Sequence, residues 1–277
     1  MKKAILAILL IAIVGAFAAC RNTETGLAEW REGETFTLVV AATPRPHAEI
    51  LEYIRPQLLA EGIELDIRIM TEFHVFNPSL ADGDLCATFF QHQPFLNSFP
   101  RASDLYMLGF VHVEPIGAYS LDIDNIADLP AGATVAFPED PANHGRALLL
   151  LQQYGLLTLD PAAGILATYT SDITYNPLNL RFHAASAALL PLILQDVDMA
   201  IINTNHVLAH YNTLGMHPMR DSVIRESAYE NPYANGLTVR VGDKDHPALH
   251  TLLRHLQSQS VYDFIWRYFD GAVVPVF

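Results

Sequence analysis

The chain has 277 residues, 51% of them hydrophobic, and a formal charge of -14. That length supports two modest lobes, each with its own core. So acidic a surface argues against a nucleic-acid partner and against a polybasic membrane contact.

Lys2 and Lys3 precede an uncharged apolar run, Ala4 to Ala19, that ends at Cys20. A charged start, an apolar stretch and small residues before the boundary describe a secretory signal over residues 1–19. Phe17-Ala-Ala-Cys20 resembles a lipobox, with Phe17 where Leu is usual, in which Cys20 is diacylated and becomes the new N-terminus. The alternative is an uncleaved anchor, since the run is near the lower limit of a spanning helix. Either way the folded part sits outside the cytoplasmic membrane. Removing two lysines and no acid takes the charge from -14 to -16. Residues 20–35 are polar, without apolar period, and read as a tether whose reach follows the scaling of flexible coils. Acyl chains on Cys20 make such anchoring durable. No later apolar stretch is long enough to span a bilayer.

From Phe36 the order is strand, helix, strand, helix, strand, the pattern of a parallel α/β sheet. Phe36 to Ala42 reads as a strand. A helix opened by Pro46 and His47 carries Ile50, Leu51, Ile54 and Leu58 at helical spacing and is ended by Gly62. Ile63 to Ile69 alternates as a half-buried strand. A short helix runs to Asp82-Gly83, and Leu85-Cys86-Ala87 reads as a buried strand in which Cys86 is a small hydrophobe. Thr88 to Leu96 follows, where ligand crevices of open α/β sheets lie. Leu105 to Val111 is a further strand.

Past His112 to Pro115 come a strand at Thr134 to Phe137 and a helix from Pro141 to Tyr154 closed by Gly155. A strand at Leu180 to Ala184, an apolar helix from Ser186 and a strand at Val197 to Asn203 complete this part. Gly236 to Val241 is a strand, and two closing helices cover His246 to Gln257 and Ser260 to Tyr268. His112–Pro115 and Asn231-Pro232 read as two crossings between lobes. The expected division is lobe 1 over 36–112 plus 232–277 and lobe 2 over 113–231.

Thr88-Phe-Phe-Gln-His-Gln-Pro-Phe-Leu96 resembles a segment of the NlpA/MetQ family, the lipoprotein methionine-binding components of ABC importers. The resemblance recurs in Ala42-Thr-Pro-Arg-Pro-His-Ala-Glu-Ile-Leu51, His112-Val-Glu-Pro115 and Asp140-Pro-Ala-Asn-His-Gly-Arg-Ala-Leu-Leu149. It continues in Ile202-Asn203, Asn231-Pro-Tyr-Ala-Asn235 and Gly271-Ala-Val-Val-Pro275. Each match alone is weak; six in the same order, spanning Phe36 to Phe277, carry weight. The resemblance implies an α/β, two-lobed fold like the type II periplasmic binding proteins, with a ligand cleft between the lobes. It implies a lipid-anchored protein, facing the periplasm or cell exterior, that delivers methionine to a permease driven by an ATPase subunit. No cofactor is implied.

A free amino acid leaves water only if its carboxylate, ammonium and side chain each find a partner. Arg146 is the carboxylate candidate: Asp140-Pro141 reads as N-cap and N1 of a helix, and a guanidinium binds a carboxylate through two parallel bonds. By composition alone Arg146 is equally a surface Arg paired with an acid; in relatives the matching Arg holds the ligand carboxylate. Asn203, ending an apolar strand, and Asn235, past the return crossing, each offer an acceptor for ammonium and a donor for carboxylate. Both also suit turn backbone, and it is the resemblance that assigns them to the ligand. Asn205 is set aside because that position varies among relatives. The thioether wall implied is Phe73, Phe90 and Phe95, with His92 beside it; sulfur–aromatic contacts contribute about 0.3–1.5 kcal/mol each. Phe73, Phe89 and Phe95 stand where Tyr is frequent, which leaves L-methionine, D-methionine and a methionine-containing dipeptide open, with L-methionine first.

Two other functional classes compete with this one. His206 and His210, an i,i+4 pair with His217 nearby, suggest a zinc-binding lipoprotein, but no His-rich loop or clustered carboxylate accompanies them and no metal ligand is assigned. An enzyme lacks support: the sequence has no Gly-x-Ser-x-Gly, no His-Glu-x-x-His, no phosphate-cradling loop and no paired Cys. Glu114 beside His112 resembles an acid/base pair, but in a crossing segment it reads as structural.

Overall fold

The computed structural model describes residues 26–31 and 33–277. The expected signal peptide and Cys20 lie outside them. Among the described residues no helix is long and apolar enough to cross a membrane.

The first lobe begins with β1 (Phe36–Ala42), a turn of π-helix over Pro44–Ala48, α1 (Glu49–Ala60), β2 (Ile63–Ile69), α2 (Phe73–Ala81) and β3 (Ala87–His92). α1 buries Ile50, Leu51, Ile54 and Leu58, the stripe its spacing dictates. Gly62, at φ +82°, turns the chain into β2. After α3 (Gln93–Asn97) and β4 (Leu105–Val113), the chain leaves for the second lobe.

That lobe holds β5 (Gly117–Tyr119), β6 (Thr134–Pro138), α4 (Pro141–Gln153), the small pair β7 (Thr158–Leu159) and β8 (Ile173–Tyr175), and β9 (Arg181–Ala185). β10 (Met199–Ile202), α5 (Thr204–Ala209), α6 (Tyr211–Leu214) and β11 (Ile224–Arg225) follow. The chain then returns as β12 (Ala234–Arg240), α7 (Pro247–Leu256), α8 (Gln259–Tyr268) and β13 (Val274–Pro275).

Two sheets result. The first has six strands in the order β13-β4-β12-β3-β1-β2, and the second five in the order β11-β5-β10-β6-β9. β1, β2 and β3 are mutually parallel, while β12 runs antiparallel to both neighbours. Each sheet packs its own apolar cluster, one around Leu38, Val40, Leu249 and Ile265, the other around Val135, Phe137, Leu148 and Ile201. The fold is two-lobed α/β, and the chain passes between the lobes after Val113 and again before Ala234.

Three local expectations change. The buried strand expected to end before Thr88 instead runs from Ala87 through His92, all six residues buried, because β12 covers its other edge. Cys86 just precedes it, fully buried in the first core, its Sγ accepting from the Val39 N–H at 3.3 Å. The apolar helix expected from Ser186 is a set of turns followed by a 3-10 turn at Leu194–Asp196. Pro191 has no N–H to give and its ring clashes with a preceding helical carbonyl, so the segment closes with short-range bonds such as Leu192 N–H to Leu189 C=O, 2.9 Å. Of the expected tether, residues 26–31 and 33–35 are described, and the first of these stretches lies against the first lobe. There the Leu27 N–H meets Asp243 Oδ1 at 2.7 Å, and Leu27 and Trp30 pack on the core.

Candidate functional site

β3 and α3 build one wall of the cleft. Alternation along β3 sends Phe89 into the first core and Phe90 the other way. Phe90 stacks on Phe76 at 3.9 Å and meets Phe73 and Phe95 at 5.8 and 5.6 Å, while Phe73 and Phe95 stand 5.8 Å apart. The three rings form an apolar corner. Gln91, between them in sequence, is spent on structure: its amide exchanges bonds with Asn77 at 2.9 and 2.7 Å and reaches Thr238.

His92 caps α3, its Nδ1 accepting from the Phe95 N–H at 3.2 Å. Its other nitrogen, Nε2, therefore carries the proton and donates to Asn143 Oδ1 at 3.1 Å across the cleft. Burial and then the Arg146 charge bring its pKa down to about 3. Both ring nitrogens are thus used by the protein, and His92 contributes a neutral wall and a bridge between lobes.

On the opposite side Asp140 caps α4, accepting from the Asn143 N–H at 2.9 Å, with Pro141 following. Burial raises the Asp140 pKa against the lowering effect of its bonds to Asn143 and of Arg146. Asn143 Oδ1 accepts from Asn203 Nδ2 at 3.0 Å as well as from His92. Gly145 lets α4 approach the Ile165 carbonyl where no Cβ fits.

Arg146 is 2% exposed and lies in the second turn of α4. The expected two parallel bonds are present, but to the protein's own Glu226. Nε meets Oε1 at 2.9 Å and Nη2 meets Oε2 at 2.7 Å, and Nη2 also donates to the Glu114 carbonyl at 2.8 Å. Tyr233 covers the guanidinium, 4.3 Å from its ring centre. Nη1 is left without a protein partner among the described residues. Glu226 is itself fixed by the Ile116 N–H and Asn231 Nδ2, both at 3.2 Å, so Arg146 is tied to both crossing segments.

Asn203 follows β10 and Asn235 lies in β12 beside His92 and His112. Asn203 Oδ1 is buried with no partner. Asn235 Nδ2 donates to Glu114 Oε1 at 3.1 Å. Phe73, Phe90, His92, Phe95, Arg146, Asn203 and Asn235 all line one cavity of roughly 330 Å³, open solvent at its mouth included.

The cavity also has walls the sequence reading left out: Glu114, Asn143, Thr204 and Asn205. Glu114, read as structural, is both, bound to His112 Nε2 at 2.9 Å and open to the cavity. Asn143 and Tyr233 lie inside two of the matching motifs and were legible there. Glu226 stands in none, 80 residues from Arg146. The histidine pair proposed as a zinc site does not converge. His206 is buried with its ring 5.0 Å from Phe73 and a pKa brought to about 3 by burial, then by His210. His210 turns its Nδ1 to the His206 carbonyl at 2.9 Å. Among the described residues the one three-membered grouping near enough to hold a metal is His47, His112 and Glu114, already linked to one another.

Comparison with known proteins places the chain in a family. The family model described as NlpA lipoprotein matches residues 38–277. The methionine-binding lipoprotein MetQ of Bacillus subtilis is 35% identical over 100% of this chain and 99% of its own. A nutrient binding protein from Burkholderia cenocepacia, solved bound to methionine, superposes with a TM-score of 0.81 at 37% identity, covering 87% of this chain and 100% of that one. The lipoprotein Tp32 from Treponema pallidum gives 0.81 at 33% identity over 87% and 99%. The chain belongs to the NlpA lipoprotein family.

Proposed function

We propose that the protein binds methionine, L-methionine first, in the cleft between its lobes and hands it unchanged to an ABC permease and its ATPase subunit. The observation that carries this reading is the polarity of one small cavity. At one end stand three phenylalanine rings suited to a thioether. At the other stand the free Nη1 of Arg146 and two oxygens that accept no hydrogen bond among the described residues, Asn203 Oδ1 and Glu114 Oε2. Arg146, with Asn205 beside it, takes the carboxylate; Asn203 and Glu114 take the ammonium; Phe73, Phe90 and Phe95 take the side chain. Asn235 serves through Glu114. The methionine-bound Burkholderia relative and the B. subtilis relative named for methionine binding support the choice of ligand.

Ligand contacts from both lobes favour the closed arrangement. The lobes are taken as 36–112 plus 232–277 and 113–231, and residues 1–19 act as a lipoprotein signal that leaves an acylated Cys20 as the new N-terminus. Relatives named as membrane lipoproteins support the anchor.

Isothermal titration of the delipidated protein, refolded to remove carried-over ligand, tests the reading. Saturable heat is expected with L-methionine, with D-methionine and Gly-Met ranking behind it. Absence of heat with all three compounds sinks it.

A further inference from the structure

Glu114 carries two oxygens with different surroundings. Oε1 receives His112 Nε2 at 2.9 Å and Asn235 Nδ2 at 3.1 Å, and His47 Nε2 stands 3.2 Å away. Oε2 accepts no hydrogen bond among the described residues, and the side chain lines the cavity. One oxygen is held by the framework and the other is left for whatever enters.

His112 does not line the cavity and is fully buried. Its Nδ1 has no partner. A proton on Nδ1 would be a buried donor without an acceptor, which costs the desolvation of that group. The same tautomer would aim the Nε2 lone pair at a carboxylate 2.9 Å away. The proton therefore sits on Nε2 and is donated to Glu114. The ring itself cannot swing. Phe89 meets it edge-on at 5.5 Å, and His47 packs on it at 4.9 Å. His47 is in turn fixed through its Nδ1 to Thr43 Oγ1 at 2.7 Å.

We propose that His112 is a positioning residue for amine recognition: it holds Oε1 of Glu114 so that Oε2 faces the cleft as the receptor of the ligand's ammonium group. This rests on the function proposed above and adds a specificity to it. The cleft selects for a free amino group through a residue that never touches the ligand. The local charges favour this. Arg146 is already matched by Glu226, whereas among the described residues no Lys or Arg pairs with the Glu114 carboxylate. An ammonium supplies the missing charge.

The test is the ratio of affinities for L-methionine and for 4-(methylsulfanyl)butanoate, which lacks only the amino group. Wild-type protein is expected to prefer methionine strongly. His112→Gln, which keeps an N–H donor at similar reach, keeps that ratio. His112→Met, which fills the space without a donor, lowers it about tenfold, the scale of one hydrogen bond to a charged group. Equal weakening of both compounds in His112→Met means a packing role and overturns the proposal. Wild-type protein that binds neither compound overturns this and the methionine reading together; wild-type binding with an unchanged ratio in His112→Met overturns this alone. If His112→Met does not fold, nitrogen-15 spectra of wild-type histidines decide: a protonated Nε2 and bare Nδ1 on His112 support the proposal, and the opposite tautomer ends it.

Discussion

Arg146 and Glu226, 80 residues apart, share a fork-to-fork ion pair with contacts of 2.7 and 2.9 Å. The guanidinium is thus oriented before any ligand arrives, with one terminal nitrogen to spare. Pre-organisation of this kind lowers the ordering cost of binding.

Arg146→Ala is expected to abolish most methionine affinity and also to lower the melting temperature. A ligand carboxylate and Glu226 both lose their charge partner, and breaking a buried pair costs about 3–5 kcal/mol. Glu226→Gln separates the two effects, lowering the melting temperature while methionine binding survives. Titration and thermal melts of both variants check this; unchanged affinity in Arg146→Ala contradicts the carboxylate assignment.

Asn143 accepts from the first lobe through His92 and from the second through Asn203. Asn143→Ala strands two buried donors, at about 1–3 kcal/mol each. The expected outcome is a less stable protein whose ligand-free radius of gyration rises in small-angle scattering. A radius equal to wild type contradicts a bridging role.

Gly145→Ala places a methyl group on the Ile165 carbonyl, which belongs to backbone and gives way poorly. Overpacking of this kind costs about 1–3 kcal/mol or more, although Ala is the better helix former. A denaturant melt with an unchanged midpoint contradicts the close approach of α4 to residues 164–166.

Acid is expected to destabilise the fold from about pH 6.5 downward, the ordinary histidine value. Burial holds His92 and His206 at about 3 and His47 well below its ordinary value. Between the two limits the unfolded chain binds protons the folded one refuses, so stability falls as pH falls, by up to about 1.4 kcal/mol per unit for each imidazole. Asp140, raised by burial, has the opposite sign but is a single group acting in the carboxylate range. Melting temperatures at pH 7, 6 and 5 check the direction; a flat profile contradicts it.

Much of this was legible because period and caps are local. The α1 stripe, Asp140-Pro141 at the start of α4 and the glycine turn at Gly62 all follow from residues within a few positions of one another. The Ser186 segment misled because its apolar content imitates a helix that Pro191 forbids. β3 runs further than its local sequence indicates because its far edge is covered by β12, more than 140 residues later. Glu226 is invisible for the same reason: a surface-type residue, in no motif, becomes the partner of a cavity-lining Arg only when both crossing segments meet.

β12 lies in the middle of the first sheet, between β4 and β3. A chain made from its N-terminus presents β1, β2 and β3, which pair with one another, and then β4, which cannot join them until residues 234–240 emerge. The whole of the second lobe is delivered in the interval. The strand that carries the phenylalanine corner must therefore wait, one edge unpaired, for the last quarter of the chain, which makes this the stretch of synthesis in which a chaperone has most to protect.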